Sequence, residues 1–134
     1  FRVNGNKAYH RKGATELLGD EIVMPISMTR GSIIATPKNG VDLSDNLFSC
    51  SHGAGRKLSR TDTLKYWHSL KNKEKKEFEI RFNELLERNG KFSNGLIQEF
   101  DFAYKDSDSI MKDQPFLREV ARTTPIVTIK FSEK

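Results

Sequence analysis

Residues 49–60 read SCSHGAGRKLSR, a histidine set among small side chains with Arg56, Lys57 and Arg60 close behind it. Small residues add little to a core, but they let other atoms come close to the backbone. His52 therefore has room for a partner, and the cations that follow point to an anionic one.

The elements that must position this stretch are legible from pattern. Residues 7–12 (KAYHRK) and 21–27 (EIVMPIS) hold short strand-like runs, and 31–36 (GSIIAT) is another, closed by Pro37, Asn39 and Gly40. A loop over 37–46 leads into the histidine stretch. A helix is expected to start near Ser59 or Thr61, with Ser59 as its cap and Asp62 three residues on. Leu64, Trp67 and Leu70 then lie at helical spacing. A second helix is expected over 73–88, with Phe78, Phe82, Leu85 and Leu86 as its apolar stripe and Asn89-Gly90 as its end. Residues 71–77 (KNKEKKE) form its solvated beginning. One or two short helices, broken at Pro115, are expected over 106–121, and a last strand over 125–131 (PIVTIKF). Strands, then helices, then a closing strand make the fold class α+β rather than a βαβ array.

With 134 residues the chain suffices for one domain with a modest core. Charged residues at 31% and hydrophobic ones at 36% fit a globular chain rather than a disordered one. No apolar run has the length of a membrane span, and no secretory signal is visible. The net charge of +5 is a mild pointer to a polyanionic partner. Cys50 is the single cysteine, which excludes an internal disulfide and makes a reduced, cytoplasmic setting the natural expectation. The chain begins at Phe1, so a fragment is expected.

Five short motifs, in order, carry a resemblance. They are Arg11-Lys12-Gly13-Ala14; Pro25-Ile26-Ser27-Met28; Ser49-Cys50-Ser51-His52-Gly53-Ala54-Gly55-Arg56 with Ser59-Arg60; Ala103-Tyr104-Lys105-Asp106; and the expected strand ending in Lys130. Over nearly its whole length the chain resembles the C-terminal part of an RtcB-type RNA-splicing ligase. That family joins RNA 3′-phosphate or 2′,3′-cyclic phosphate ends to 5′-hydroxyl ends, using GTP and manganese, in tRNA splicing or RNA repair.

The resemblance implies that His52 attacks the α-phosphate of GTP and becomes a histidine–GMP adduct, which then activates the RNA 3′-phosphate. The residue types suit this. A neutral imidazole offers a lone pair at neutral pH, and a labile phosphoramidate divides one hard step into two. Gly53, Ala54 and Gly55 would let backbone N–H groups reach phosphate oxygens. Arg56 or Arg60 could offset negative charge, and a helix starting after Ser59 would aim its N-terminus at the same region. Pro25, Ile26, Ser27, Met28 and Ser32 match the family's nucleotide loop and its surroundings. Tyr104 matches an aromatic bordering the base, and Lys130 a lysine that reads guanine.

Departures from the family also have consequences. Ile26 stands where the family's loop has glycine, and isoleucine cannot supply a left-handed backbone or a close approach there. The family's metal ligands all lie upstream of the Arg-Lys-Gly-Ala motif, so no metal ligand is assigned within these residues. Manganese is expected on the missing N-terminal part, and this chain alone is expected to be inactive. The rival from another class is a non-catalytic or degenerate RNA- or nucleotide-binding module. A histidine serving phosphoryl transfer to some other acceptor is a third option.

For the remaining residues plainer roles compete. Cys50 is expected to be a buried small residue. His10 and His68 have no metal-ligand spacing to each other or to Cys50. Arg11 and Lys12 are either phosphate or RNA contacts or surface charges. The lysines of 71–76 are a solvated face, with RNA backbone as the alternative.

Overall fold

The computed structural model describes residues 2–4, 6–19, 21–85 and 93–126. In chain order the strands are β1 Arg2–Asn4, β2 Lys7–Tyr9, β3 Ala14–Glu16, β4 Ile22–Ser27, β5 Gly31–Pro37 and β6 Ser49–Ser51. Helices α1 Arg60–Ser69, α2 Asn72–Leu85, α3 Asn94–Ile97 and α4 Ser107–Lys112 follow, with a single 3₁₀ turn at Asp101–Ala103, and β7 Leu117–Arg122 comes after them. The fold is α+β. Among the described residues, β1 pairs with β2, β3 with β6, and β5 lies between β4 and β7, every pair antiparallel.

Period-two patterning explains β4. Ile22, Met24 and Ile26 turn inward while Val23 and Pro25 face out. Pro25 cannot donate to a ladder, and β4 is at the edge of its sheet, where a missing N–H is tolerated. The register slips between Pro25 and Ser27, so Ile26 sits at an irregularity. Ile33 and Ala35 of β5 and Leu117 of β7 meet the inward face of β4. Cys50, Ala54 and Ile110 join the same core, so the residue two places after His52 is itself packed inside.

A second apolar cluster holds the helices. Trp67 of α1 meets Phe100 edge to face at 5.2 Å, and Phe78 of α2 meets Phe102 likewise at 5.2 Å. Leu64 and Leu70 lean on this cluster, as their spacing predicts. The N-terminus of α1 is capped as expected. Ser59 Oγ accepts the Asp62 N–H at 3.0 Å and donates to the Asp62 carboxylate at 2.6 Å. Within α2, Phe78 packs against the cluster while Lys73 and Lys76 are exposed.

Two expectations need correction. The segment 106–121 is not helical throughout: α4 ends at Lys112, and Leu117–Arg122 is strand. Pro115 stops the helix, and the chain beyond it finds a full ladder on β5, from Pro37↔Leu117 to Ile33↔Arg122. The strand observed after the helices is Leu117–Arg122. Pro125 and Ile126 lie outside any strand, and 127–131 fall outside the described residues. Strands β3 and β6 were not expected, being three residues each and too short to show a period.

The β4–β5 hairpin closes on Gly31, at φ 71°, and a Cβ there would lie 2.1 Å from the Thr123 carbonyl oxygen. Ser32 N–H donates to Thr123 Oγ1 and Thr123 N–H to Ser32 O, both at 2.9 Å, so β7 is fastened to the hairpin at this point. Gly31→Ala is expected to cost about 2 kcal/mol or more of stability, since it combines a strained φ with a backbone clash. Gly19→Ala, at φ 95° with open space at its Cβ position, should cost only about 1 kcal/mol. Denaturant unfolding of both variants checks the order; equal losses would mean that the Thr123 contact is dispensable.

Candidate functional site

His52 lies just after β6, and its side chain is exposed. Its position is set by backbone contacts on either side. The His52 N–H donates to Gly13 O at 3.4 Å, a long bond that ties it to the Arg-Lys-Gly-Ala motif. The Ala54 N–H donates to Pro25 O at 3.0 Å, which ties the next turn to the Pro-Ile-Ser-Met motif. Gly53 lies between them, and a Cβ on it would be 2.8 Å from Pro25 O. Only glycine permits this approach. Gly55 supplies the left-handed residue, at φ 66°, that turns the chain away, and its carbonyl accepts the Lys105 N–H at 3.1 Å. Arg56 then pairs with Tyr104, and Ala103 O accepts the N–H groups of Lys57 and Leu58. Four of the five sequence motifs thus meet through main-chain hydrogen bonds around one exposed imidazole.

The cations beside it are not equally free. Arg56 stacks its guanidinium over the Tyr104 ring at 5.1 Å and donates to Leu58 O at 3.0 Å and Thr63 Oγ1 at 2.9 Å. Glu99 lies 3.7 Å from Arg56 and accepts the Tyr104 hydroxyl. Burial first, and then the Glu99 carboxylate, raise the Tyr104 phenol above the ordinary tyrosine value, against a smaller pull from Arg56. Tyr104 is therefore a neutral donor here, and Arg56 is held in place by four partners. Arg60 is largely exposed, 3.9 Å from the same Glu99. The start of α1 already carries an anion of its own in Asp62, whose carboxyl is lowered chiefly by its hydrogen bond with Ser59.

The other predicted residues are distributed as follows. Ser27 Oγ accepts the Arg30 N–H at 3.2 Å and so shapes the β4–β5 turn, while Arg30 itself reaches Asp101 at 3.7 Å and Asp106 at 3.6 Å. Met28 packs on the aromatic cluster. The Ile26 side chain is buried in the core, which leaves only its backbone to face a ligand. Its φ is not positive: among the described non-glycine residues only Leu47 and Phe48 are left-handed. Isoleucine is thus compatible with the local path. Ser32 is committed through its backbone to Thr123. The Arg11 guanidinium is engaged by Ser49 Oγ at 2.9 Å, Leu47 O at 3.0 Å and Glu16 at 3.3 Å, so it straps β3 to the loop before β6. Lys12 is exposed, and Lys130 lies outside the described residues. Lys75 reaches over the Trp67 ring at 5.9 Å, which separates it from its solvated neighbours on α2.

Two polar residues at the site carry no motif in the sequence. Glu99 follows a glutamine and precedes a core phenylalanine, and a lone carboxylate there is indistinguishable from surface charge. Gln114 is buried, and its Oε1 accepts the Ser51 N–H at 2.7 Å. Among the described residues no three His, Cys, Asp or Glu side chains gather into a cation site, and no helix is long and apolar enough to cross a membrane.

The α+β scaffold thus presents an exposed histidine on a glycine turn, tied by main-chain hydrogen bonds to three other segments. A family model described as "tRNA-splicing ligase RtcB" matches residues 2–131, and the chain belongs to that family. It is also similar to RNA-splicing ligase RtcB1 from one Escherichia coli strain and to RNA-splicing ligase RtcB from Escherichia coli K12. Each is 33% identical over 114 residues, covering 84% of this chain and 25% of the relative. The chain thus spans about a quarter of the length of the curated relatives it matches.

Beside His52, Cys50 is buried, and burial pushes its thiol up to about 11. Because the folded value is above the unfolded one, the neutral thiol favours folding below pH 9, and this is lost as pH rises through about 11. Iodoacetamide at about pH 8 should therefore leave Cys50 unmodified in the native protein and label it fully on unfolding. Mass spectrometry checks this; rapid native labelling would show that β6 opens readily.

Proposed function

We propose that this chain is the C-terminal, nucleophile-bearing portion of an RNA ligase, and that His52 is the residue that becomes guanylylated. The observation that carries this is the convergence of the Gly13, Pro25, Gly53–Gly55 and Tyr104 segments on an exposed imidazole. Family membership supports it, as do relatives named RNA-splicing ligases.

In this reading the imidazole nitrogen of His52 attacks the α-phosphorus of GTP. A nitrogen–phosphorus bond forms, the bond to the bridging oxygen breaks, and pyrophosphate leaves. GMP then passes to an RNA 3′-phosphate oxygen and frees the imidazole. A 5′-hydroxyl attacks the activated 3′-phosphorus and GMP departs. The Gly53–Gly55 turn is small enough for phosphate oxygens to reach its backbone. Arg56, fixed by Tyr104, Glu99 and Thr63, adds a preorganised positive charge. The Ser27–Arg30 turn, Ser32, Tyr104 and Lys130 form the guanosine pocket, and the exposed Lys12 and Arg60 meet RNA phosphates. We place the manganese ligands in the part of the ligase that this chain does not span, so the chain alone is inactive.

The complete ligase, incubated with labelled GTP and Mn²⁺, should retain GMP on the peptide that contains His52, and His52→Ala should abolish the label. The bond should break in acid and survive alkali. A label mapped to lysine would overturn the assignment. Lys130→Ala in the same enzyme should reduce guanylylation by about tenfold or more, because a donor to guanine O6 or N7 is worth about 1–3 kcal/mol. Normal guanylylation with an intact preference for GTP over ATP would remove Lys130 from the pocket.

A further inference from the structure

We propose that Gln114 is a positioning residue for the nucleophile: its buried carboxamide holds the end of β6 so that His52 faces outward at a fixed height above the Gly53–Gly55 turn. The proposal rests on the assignment of His52 above. Gln114 is 8% exposed and lies just beyond α4, 63 residues from the strand it serves. Its Oε1 accepts the Ser51 N–H at 2.7 Å. Its Nε2 donates to Ile110 O at 3.3 Å and lies 3.8 Å from Met24 Sδ. The backbone of Gln114 is fixed as well. Its N–H donates to Met111 O at 3.1 Å, and its carbonyl accepts the Leu117 N–H at 3.0 Å. One side chain therefore joins the residue before His52 to α4 and faces β4.

The choice of group follows from the surroundings. Ser51 presents an N–H that needs an acceptor, and Ile110 presents a carbonyl that needs a donor. A neutral carboxamide supplies both in an apolar setting where a charge would be costly. Ser51 relays the restraint forward, since its Oγ donates to Gly53 O at 2.6 Å. The chain from 51 to 54 is thus pinned at successive points by Gln114, Gly13, the Ser51 hydroxyl and Pro25. Without the Gln114 tether the first of these is lost, and the imidazole shifts relative to the turn that is to hold the phosphate. Gln114 touches no reacting atom; it acts through the backbone, so its effect belongs on the chemical step rather than on nucleotide affinity.

The test uses the complete ligase, with two readouts. Gln114→Met keeps the volume but removes the acceptor. It should speed exchange of the Ser51 amide by at least about tenfold while the Trp67 amide stays protected. The rate of guanylylation at saturating GTP should fall by about tenfold or more, with KM for GTP within about twofold. Gln114→Glu, kept protonated by the apolar surroundings, can still accept the Ser51 N–H and donate its carboxyl proton to Ile110 O, and should keep Ser51 protected, with guanylylation within about threefold of wild type. The proposal is overturned if Gln114→Met guanylylates at the wild-type rate, or if Gln114→Glu keeps Ser51 protected yet is as slow as Gln114→Met. A wild-type enzyme that forms no GMP adduct on His52 would overturn the underlying assignment instead, and the wild-type control separates that failure from a failure of Gln114.

Discussion

Much of this molecule depends on one close approach, that of Gly53 to the carbonyl of Pro25. A side chain of any size at 53 would collide with that oxygen. Because none is there, the Ala54 N–H reaches Pro25 O at 3.0 Å and the Ala54 methyl enters the core between the sheets. The turn that carries His52 is thereby laid against the edge strand of the larger sheet. Pro25 contributes twice. It has no N–H to leave unpaired at an edge, and its carbonyl is free to accept from a different segment. The same contact joins the His52 turn to β4 two residues before Ser27, where the β4–β5 turn begins.

The electrostatics around the turn follow from Glu99. This carboxylate receives the Tyr104 hydroxyl and lies near both Arg56 and Arg60. Burial, and then this carboxylate, hold Tyr104 in its neutral form, and the Arg56 guanidinium lies 5.1 Å from the centre of the tyrosine ring. Arg56 is thus a charge fixed in place by its partners, while Arg60 is far more exposed. Preorganisation of this kind needs no reordering when charge develops, which is where catalysis gains from it. The pairing of Arg11 with Glu16 and Ser49 has a different consequence. It braces β3 against β6, so the guanidinium in the Arg-Lys-Gly-Ala motif supports the strand that leads to His52.

What the sequence made legible, and what it hid, divides along range of interaction. The Ser59 cap, the Leu64/Trp67/Leu70 face and the alternation through Ile22–Ser27 are local patterns, and each names its element without reference to distant chain. The α+β class follows from their order. The stretch 106–121 misled because Ser107–Lys112 is helical and the apolar residues beyond Pro115 continue at spacings a helix could use. What makes Leu117–Arg122 a strand is β5, some eighty residues earlier, which no local window contains. Strands β3 and β6 are invisible for the same reason. At the site, glycines and a histidine announce themselves by type and spacing. Gln114 and Glu99 do not, since their roles depend wholly on which backbone groups and cations the fold delivers to them. Ile26 shows the converse. Its departure from the family pattern is plain in the sequence, but only the backbone path, with its ordinary φ, shows that isoleucine fits.

The most direct measurement is a crystal structure of the complete ligase trapped after exposure to GTP and Mn²⁺ with RNA withheld. Guanosine monophosphate should be joined to an imidazole nitrogen of His52, with its phosphate against the amides of Gly53 and Gly55 and its base between the Ser27–Arg30 turn and Tyr104. The Ala54–Pro25 hydrogen bond should persist. Guanosine monophosphate bonded to a lysine, or a nucleotide seated away from both the turn and Tyr104, would contradict the placement of the reaction on this histidine.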